Sequence, residues 1–283
     1  MPVSYDEYYH GRTGLTVGVE EVLFSGQSPY QKVEVFETDA WGRLMTIDGM
    51  VMFSEKDEFV YHEMLSHVPL FTHPEPRRVL IIGGGDGGTA REVLHHPGVQ
   101  LVDMVEIDEM VVKVAKEFLP GVGEWENPKL TVHFKDGTEF VKNIDTPYDV
   151  ILVDGSDPVG PAKGLFQDNF LRACSEALTE NGVLAAQTES PWIEKYNSAI
   201  ADFYHSIEEF FSVSKMYLAY IPLYPAGMWS FILGSKGACP LDKASLKRVE
   251  NGLQQFGSLL KYYNADVHKS CFALPNFVSD IID

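Results

Sequence analysis

Between Leu15 and Phe53 apolar and polar positions tend to alternate, most plainly in Val33-Glu34-Val35-Phe36-Glu37, which is the period of strands with one buried face. Turn residues punctuate the alternation at Ser25-Gly26, at Asp39-Ala40-Trp41-Gly42 and at Asp48-Gly49. This pattern predicts a small antiparallel β-domain over residues 1–54. Ser54-Glu55-Lys56-Asp57 then resembles a capping box, and Phe59, Tyr61, His62, Met64, Leu65 and Val68 follow at mixed helical spacing toward Pro69. A helix therefore leads into a second unit, 55–283. There the pattern alternates: strands at 79–82, 101–105, 130–134, 148–153 and 182–187, helices near 108–118, 137–143, 166–178 and 194–210. Two late strands at 213–221 and 228–233 and a helix near 242–261 close the chain. Such β-α alternation predicts a parallel sheet wrapped by helices, with ligands bound outside the carboxyl ends of its strands.

The strand at 79–82 stops at Gly83-Gly84-Gly85-Asp86-Gly87-Gly88 and a helix-compatible Thr-Ala-Arg-Glu-Val-Leu follows. Gly83, Gly85 and Gly88 fit the G-x-G-x-x-G spacing, which allows a tight turn, close approach of backbone to a nucleotide and packing of helix on sheet. Asp86 changes that picture. A carboxylate inside the loop repels a pyrophosphate and attracts a cation. The next strand ends in Glu106-Ile107-Asp108, about 20 positions on, where an acidic residue is placed to hold ribose hydroxyls. Nucleoside plus cation points to a sulfonium nucleoside.

The chain has 283 residues, 45% of them apolar, enough for one large domain or a large one with a small companion. Its formal net charge of −19 disfavours nucleic-acid backbones and anionic membranes as partners; it suits cationic substrates, and equally describes a solvated acidic surface. Cys174, Cys239 and Cys271 have no metal-binding spacing, and three thiols cannot all pair, which suits a reducing cytoplasm. The N-terminal segment has no apolar signal core, and no run approaches the ~18 apolar residues of a membrane span.

Carboxylates stand at three strand ends: Asp86, Glu106, and Asp154 with Asp157. Each alone is compatible with an ordinary turn or N-cap role; their joint position at converging strand ends makes them a candidate site. Asp136-Gly137 follows the third strand of this unit and can cap a helix, accept from an adenine amino group, or both. Residues 158–165 have the composition of a mobile cover or of a plain connector. Tyr61, His62, Tyr224 and Trp229 could be core, or could line an apolar trough with π-faces for ammonium groups. His62 has no His or Cys nearby and is a poor metal ligand, so no metal site is expected.

These blocks, in order, resemble the spermidine synthases, the polyamine aminopropyltransferase family: Ser-Pro-Tyr-Gln at 28–31, Leu-Met-Thr-Ile-Asp-Gly at 44–49, Ser-Glu-Lys-Asp-Glu-Phe-Val-Tyr-His-Glu at 54–63, the glycine loop, Val-Glu-Ile-Asp at 105–108, Asp136-Gly137, Val-Asp-Gly-Ser-Asp-Pro-Val-Gly-Pro at 153–161, Gln-Thr-Glu-Ser-Pro-Trp at 187–192 and Tyr-Pro-Ala-Gly-Met-Trp-Ser-Phe at 224–231. The resemblance implies an α/β fold, a Rossmann-like sheet of the class I methyltransferase type behind the small β-domain. It also implies transfer of an aminopropyl group from decarboxylated S-adenosylmethionine, a co-substrate rather than a prosthetic group, to putrescine, giving spermidine and 5′-methylthioadenosine. Gln31, Glu106, Asp136, Gly137 and Pro161 would contact the nucleoside, and His62, Asp86, Asp157 and Tyr224 would line the amine site. Asp154 would accept the proton, oriented by Tyr61, while Asp157 and Glu189 would hold the ammonium that does not react. Gly155 and Ala226 stand where small polar residues are common in the family. A homodimer or homotetramer is implied, and Tyr5, Tyr8 and Tyr9 could pack between subunits. Two other readings stay open: an S-adenosylmethionine-dependent diamine N-methyltransferase, and a non-catalytic polyamine-binding protein.

Overall fold

The computed structural model describes residues 3–155 and 164–283. Strands β1 (Val3–His10), β2 (Thr13–Gln27), β3 (Lys32–Thr38), β4 (Gly42–Ile47) and β5 (Met50–Ser54) form an antiparallel sheet in sequence order. Val33 and Val35 pair with Ile47 and Met45 and pack on one face against Val111, Val114 and Ala115, while Phe36, Leu44 and Val51 face the other way with Leu223. The alternation in the sequence is thus two buried faces. Asp48 and Gly49 carry φ of 50° and 76°, the paired left-handed values of a two-residue hairpin between Ile47 and Met50.

Two local expectations fail here. Ser25-Gly26 is no turn: both residues stay in β2, paired with Glu34 and Val33. The reversal comes at 28–31, where Ser28 Oγ accepts from the N–H groups of Tyr30 and Gln31, each at 3.0 Å. Nor does Ser54 open a capping box. It ends β5 and donates to Asp57 Oδ1 at 2.6 Å; helix α1 (Glu58–Thr72) starts after Asp57, which makes no side-chain cap. Asp57 Oδ2 instead accepts from Leu223 N–H at 3.2 Å, so a tertiary contact took the oxygen that a cap would have used.

The second sheet has the order β11-β12-β10-β9-β6-β7-β8. Its strands are β6 (Arg78–Gly83), β7 (Leu101–Glu106), β8 (Leu130–Phe134), β9 (Tyr148–Asp154) and β10 (Leu178–Gln187), mutually parallel, then β11 (Val213–Tyr220) and β12 (Met228–Ser235), which pair antiparallel. Along β6, Val79 and Ile81 face one core and Leu80 and Ile82 the other, and β9 divides likewise. Burial on both faces explains why these strands read as unbroken apolar runs. Helices α1 and α2 (Gly88–Leu94) cover the first face; α5 (Asp168–Ala177) and α6 (Glu194–Phe210) cover the second. Helix α3 (Glu109–Phe118) lies against the N-terminal sheet, and α4 (Gly137–Phe140) is a single turn. Of α1, the residues from Val60 to Thr72 are all buried, so the mixed spacing in the sequence marks a helix enclosed on every side.

The helix expected near 242–261 is shorter. Helix α7 (Lys243–Gly252) ends nine residues early. The buried Glu63 carboxylate of α1 accepts the backbone N–H groups of Lys261, Tyr262 and Tyr263 at 2.8, 2.9 and 2.7 Å, which holds that stretch out of a helical ladder. Short helices α8 (Ala265–Ser270) and α9 (Asn276–Ile282) finish the chain.

Candidate active site

Strand order changes direction between β6 and β9, and there the sheet opens a cleft of about 1150 Å³, mouth included. Three neighbouring strands deliver its carboxylates: Asp154 at the end of β9, Asp86 in the loop after β6, Glu106 at the end of β7. The N-terminal sheet supplies another wall through Met45, Ile47, Met50 and Met52, with Glu7 of β1 and Gln31. Gln31 is placed by Ser28, whose hydroxyl donates to Asp108 Oδ2 at 2.7 Å while Asp108 Oδ1 caps α3 through Met110 N–H. That cap, worth about 1 kcal/mol in a typical helix, also fixes the wall of the cleft that carries Gln31.

The loop bends where its glycines permit. Gly83 has φ of +89°, and a Cβ there would lie 2.0 Å from the Asp154 carbonyl oxygen. A Cβ on Gly88 would meet the His62 ring at 2.3 Å. His62 therefore lies beneath the loop. It is not among the residues that line the cleft, although the resemblance puts it in the lining of the amine site. Its Nδ1–H donates to Glu58 Oε2 at 2.6 Å, and Nε2 lies 3.3 Å from Asp86 Oδ1. Burial opposes its charge, but the Asp86 and Glu58 carboxylates outweigh it and push its pKa up to about 10, so the ring is an imidazolium. Asp86 also accepts Gly88 N–H at 2.7 Å. Against the cost of burial, the charge of His62 holds the Asp86 carboxyl below its usual range. Arg91 continues the network, donating to Glu58 Oε2 at 2.8 Å and to Glu92 Oε1 at 2.8 Å.

Asp154 has neutral partners. Tyr61 donates to Oδ1 and Thr89 to Oδ2, both at 2.6 Å. Burial first, then the nearby Asp86 charge, raises the Asp154 pKa, while His62 and the two hydroxyls pull the other way. Tyr61, raised well above the normal phenol range by burial and by Asp154, stays protonated as a donor. Glu106 accepts Asp108 N–H at 2.9 Å, yet burial pushes its pKa up to about 7.

Asp136 caps α4 through Thr138 N–H at 2.8 Å and lines the cleft with Gly137. Gly83, Gly85, Tyr224 and Trp229 line it too. Tyr224 donates to Met52 O at 2.9 Å, and its ring meets Trp229 edge-on at 4.7 Å and Tyr61 at 5.8 Å. Asp157, Pro161 and residues 158–163 of the candidate cover lie outside the described residues. Glu189 is buried alongside β12, its main-chain oxygen accepting from the N–H and the hydroxyl of Ser230.

Sequence reasoning missed Thr89, Glu58 and Gln187. Gln187 donates to Gly155 O at 2.8 Å and accepts from Trp229 Nε1 at 3.1 Å, which ties two walls of the cleft. Thr89 had one legible signal, a hydroxyl on the first helical turn after the glycine loop. Among the described residues no three His, Cys, Asp or Glu side chains converge to hold a metal ion.

Fold and site together define a Rossmann-like α/β protein with an acidic cleft at the carboxyl ends of its parallel strands. Residues 58–243 match the family model described as spermine/spermidine synthase domain, and residues 4–55 the one described as spermidine synthase tetramerisation domain. The chain belongs to the spermine/spermidine synthase family. It is 42% identical to a polyamine aminopropyltransferase of Clostridium perfringens, over 100% of this chain and 99% of that one, and 44% identical to that of Bacillus subtilis, over 98% of each. Among solved structures, a spermidine synthase in complex with the transition-state analogue AdoDATO superposes with a TM-score of 0.94 at 40% identity, covering 100% of this chain and 96% of that one. The spermidine synthase of Thermotoga maritima superposes at 0.91 and 39%, covering 100% and 95%.

Proposed function

We propose that the protein transfers the aminopropyl group of decarboxylated S-adenosylmethionine to putrescine, giving spermidine, 5′-methylthioadenosine and a proton. The observation that carries this reading is Asp154: a largely enclosed carboxylate, held by two neutral hydroxyls, with its pKa raised toward that of a useful base. An attacking amine with an ordinary pKa of ~10.4 costs roughly 4–5 kcal/mol to deprotonate at pH 7. In the transfer, nitrogen forms its bond to the carbon next to the sulfonium, the C–S bond breaks, and sulfur leaves as a neutral thioether. The amine proton passes to Asp154. Positioning of two bound reactants lowers the barrier further.

Glu106 would accept the ribose hydroxyls, with Gln31, Gly83, Gly85, Asp136, Gly137 and Pro161 around the nucleoside. The open side of Asp86 would pair with the aminopropyl ammonium. Tyr224 and Trp229 would flank the diamine methylenes, and Asp157 would hold its far ammonium. His62 would serve the amine site through Asp86 rather than by contact. In this reading 1–54 is the N-terminal β-domain and 55–283 the catalytic domain, assembled as a homodimer or homotetramer; the exposed Val3, Tyr8 and Val22 of the outer strands fit such packing. Three unpaired thiols fit the cytoplasm, and no helix among the described residues is long and apolar enough to cross a membrane.

The test is one assay with three-, four- and five-carbon diamines and spermidine at saturating decarboxylated donor, following methylthioadenosine. Putrescine should lead, with 1,3-diaminopropane about 10- to 150-fold lower in kcat/KM for losing one charged hydrogen bond. A flat profile or a lead for spermidine overturns putrescine as acceptor. S-adenosylhomocysteine formed from intact S-adenosylmethionine would establish a methyltransferase instead.

A further inference from the structure

We propose that Thr89 is a positioning residue for the base: its hydroxyl fixes the plane of the Asp154 carboxylate and keeps it in the form that accepts a proton. The inference deepens the proposed transfer and rests on Asp154 as its base. Rotation of an Asp carboxylate about its last bond is soft and roughly two-fold. Tyr61 holds one oxygen, and a carboxylate held at one oxygen can still swing. Thr89 takes the other from a different helix, at the same 2.6 Å, so the two oxygens are held from separate elements of the fold.

Thr89 is suited to that role by its place. It is fully buried in the first turn of α2, one residue past the glycine at which the loop closes over His62. Branching at Cβ narrows its rotamers, so the hydroxyl is aimed before any substrate binds. The opening of the loop is pinned to the same strand end, since Gly84 N–H donates to the Asp154 main-chain oxygen at 2.9 Å. The glycine loop and the base are thus joined through backbone on one side and through Thr89 on the other. The hydroxyl is also neutral. A cation in its place would hold Asp154 permanently ionised, as His62 holds Asp86, and would compete with the incoming amine for the carboxylate.

The experiment compares Thr89→Val, which keeps the shape and removes the hydroxyl, with Thr89→Ser, which keeps the hydroxyl. Thr89→Val should move the acid limb of the kcat/KM profile for putrescine upward by about one to two pH units, the size of one hydrogen bond to a carboxylate. It should lower kcat about tenfold or more at neutral pH while KM for the donor stays within about twofold. Thr89→Ser should restore both. If the Val variant does not fold, Thr89→Ala against Thr89→Ser makes the same comparison. A ¹³C-carboxyl titration of ligand-free protein, with the Asp154 signal identified by its loss in Asp154→Asn, reads the same shift without turnover. Wild-type protein that forms no methylthioadenosine defeats the proposed transfer, and the titration still decides Thr89. An unmoved titration and acid limb in the variant without the hydroxyl overturns the inference, as does a Ser variant that behaves like Val.

Discussion

Asp154 and Asp86 lie within one glycine loop of each other, both largely enclosed, and their carboxyl groups titrate in opposite directions. Asp154 is raised, with hydroxyls of Tyr61 and Thr89 as its partners; Asp86 is lowered, with the His62 imidazolium as its partner. Burial raises both. What separates them is the charge of their neighbours: the His62 imidazolium sits on Asp86, while the ionised Asp86 adds to the burial that raises Asp154. A neutral hydroxyl orients a carboxylate and leaves it able to take a proton, whereas a cation that is itself enclosed locks the negative charge in place. Glu106 belongs with Asp154, since backbone N–H groups serve it and its pKa stands near 7. Glu58 belongs with Asp86: against burial, His62 and Arg91 hold its pKa down. Of the three carboxylates in the cleft, Asp154 and Glu106 are kept titratable, while Asp86, backed by His62 from beneath the loop, is kept ionised together with Glu58.

The largest expected effect breaks the titratable side. Asp154→Asn should reduce turnover about 10²- to 10⁴-fold, the range for loss of a general base. Binding of methylthioadenosine should change little, because in the proposed transfer the base meets the amine and not the nucleoside. Steady-state kinetics beside calorimetry checks this, and equal losses in both would remove Asp154 from its role.

Next comes the ionised layer. His62→Gln leaves Asp86 and Glu58 facing one cation fewer, and breaking an enclosed ion pair from one side costs about 3–5 kcal/mol. The sign of its pH dependence follows from the raised pKa. The imidazolium contributes its full stability below the unfolded value of about 6.5 and loses it as pH rises through the folded value of about 10. The destabilisation should therefore be greatest in mild acid and shrink toward pH 10, as read by denaturant unfolding at one protein concentration. A penalty that grows with pH would mean that His62 is neutral.

The smallest effect sharpens the comparison at Glu106. Ribose hydroxyls need the ionised carboxylate as acceptor, and its pKa near 7 makes ionisation incomplete at neutrality. Affinity for methylthioadenosine should fall toward about tenfold per pH unit below pH 7. Glu106→Gln should bind more weakly and show no such slope. A wild-type affinity flat across neutrality would place Glu106 with the locked carboxylates.

Much of this was legible in local pattern. Apolar period and turn residues marked strands on both sides of Ser54, and the run of strand, glycines and helix located the cleft, because burial on one face or two leaves a periodic trace in any chain that folds this way. The same pattern put Asp86, Glu106 and Asp154 at strand ends, and the ordered family blocks implied a role for each. Local chemistry misled where a distant group took over. Ser54 and Asp57 had the makings of a capping box, but Leu223 N–H claimed an Asp57 oxygen. The helix after Asp242 was expected to run to 261 although Asn251-Gly252 offers a stop signal, and the Glu63 carboxylate that receives the backbone of 261–263 is about 200 positions away.

The sequence by itself determined which residues of this protein could ionise at the mouth of a parallel sheet, because strand ends and glycine turns are written in a few consecutive positions. Tertiary structure alone decided which of them would stay ionised. Thr89 and Asp154 are 65 positions apart, Tyr61 and Asp154 are 93, and Ser28 and Asp108 are 80. Whether a carboxylate meets a hydroxyl or an imidazolium depends on how helices seat on the sheet, and a pKa is set by that through-space neighbour and by exclusion of water, neither of which has a period along the chain.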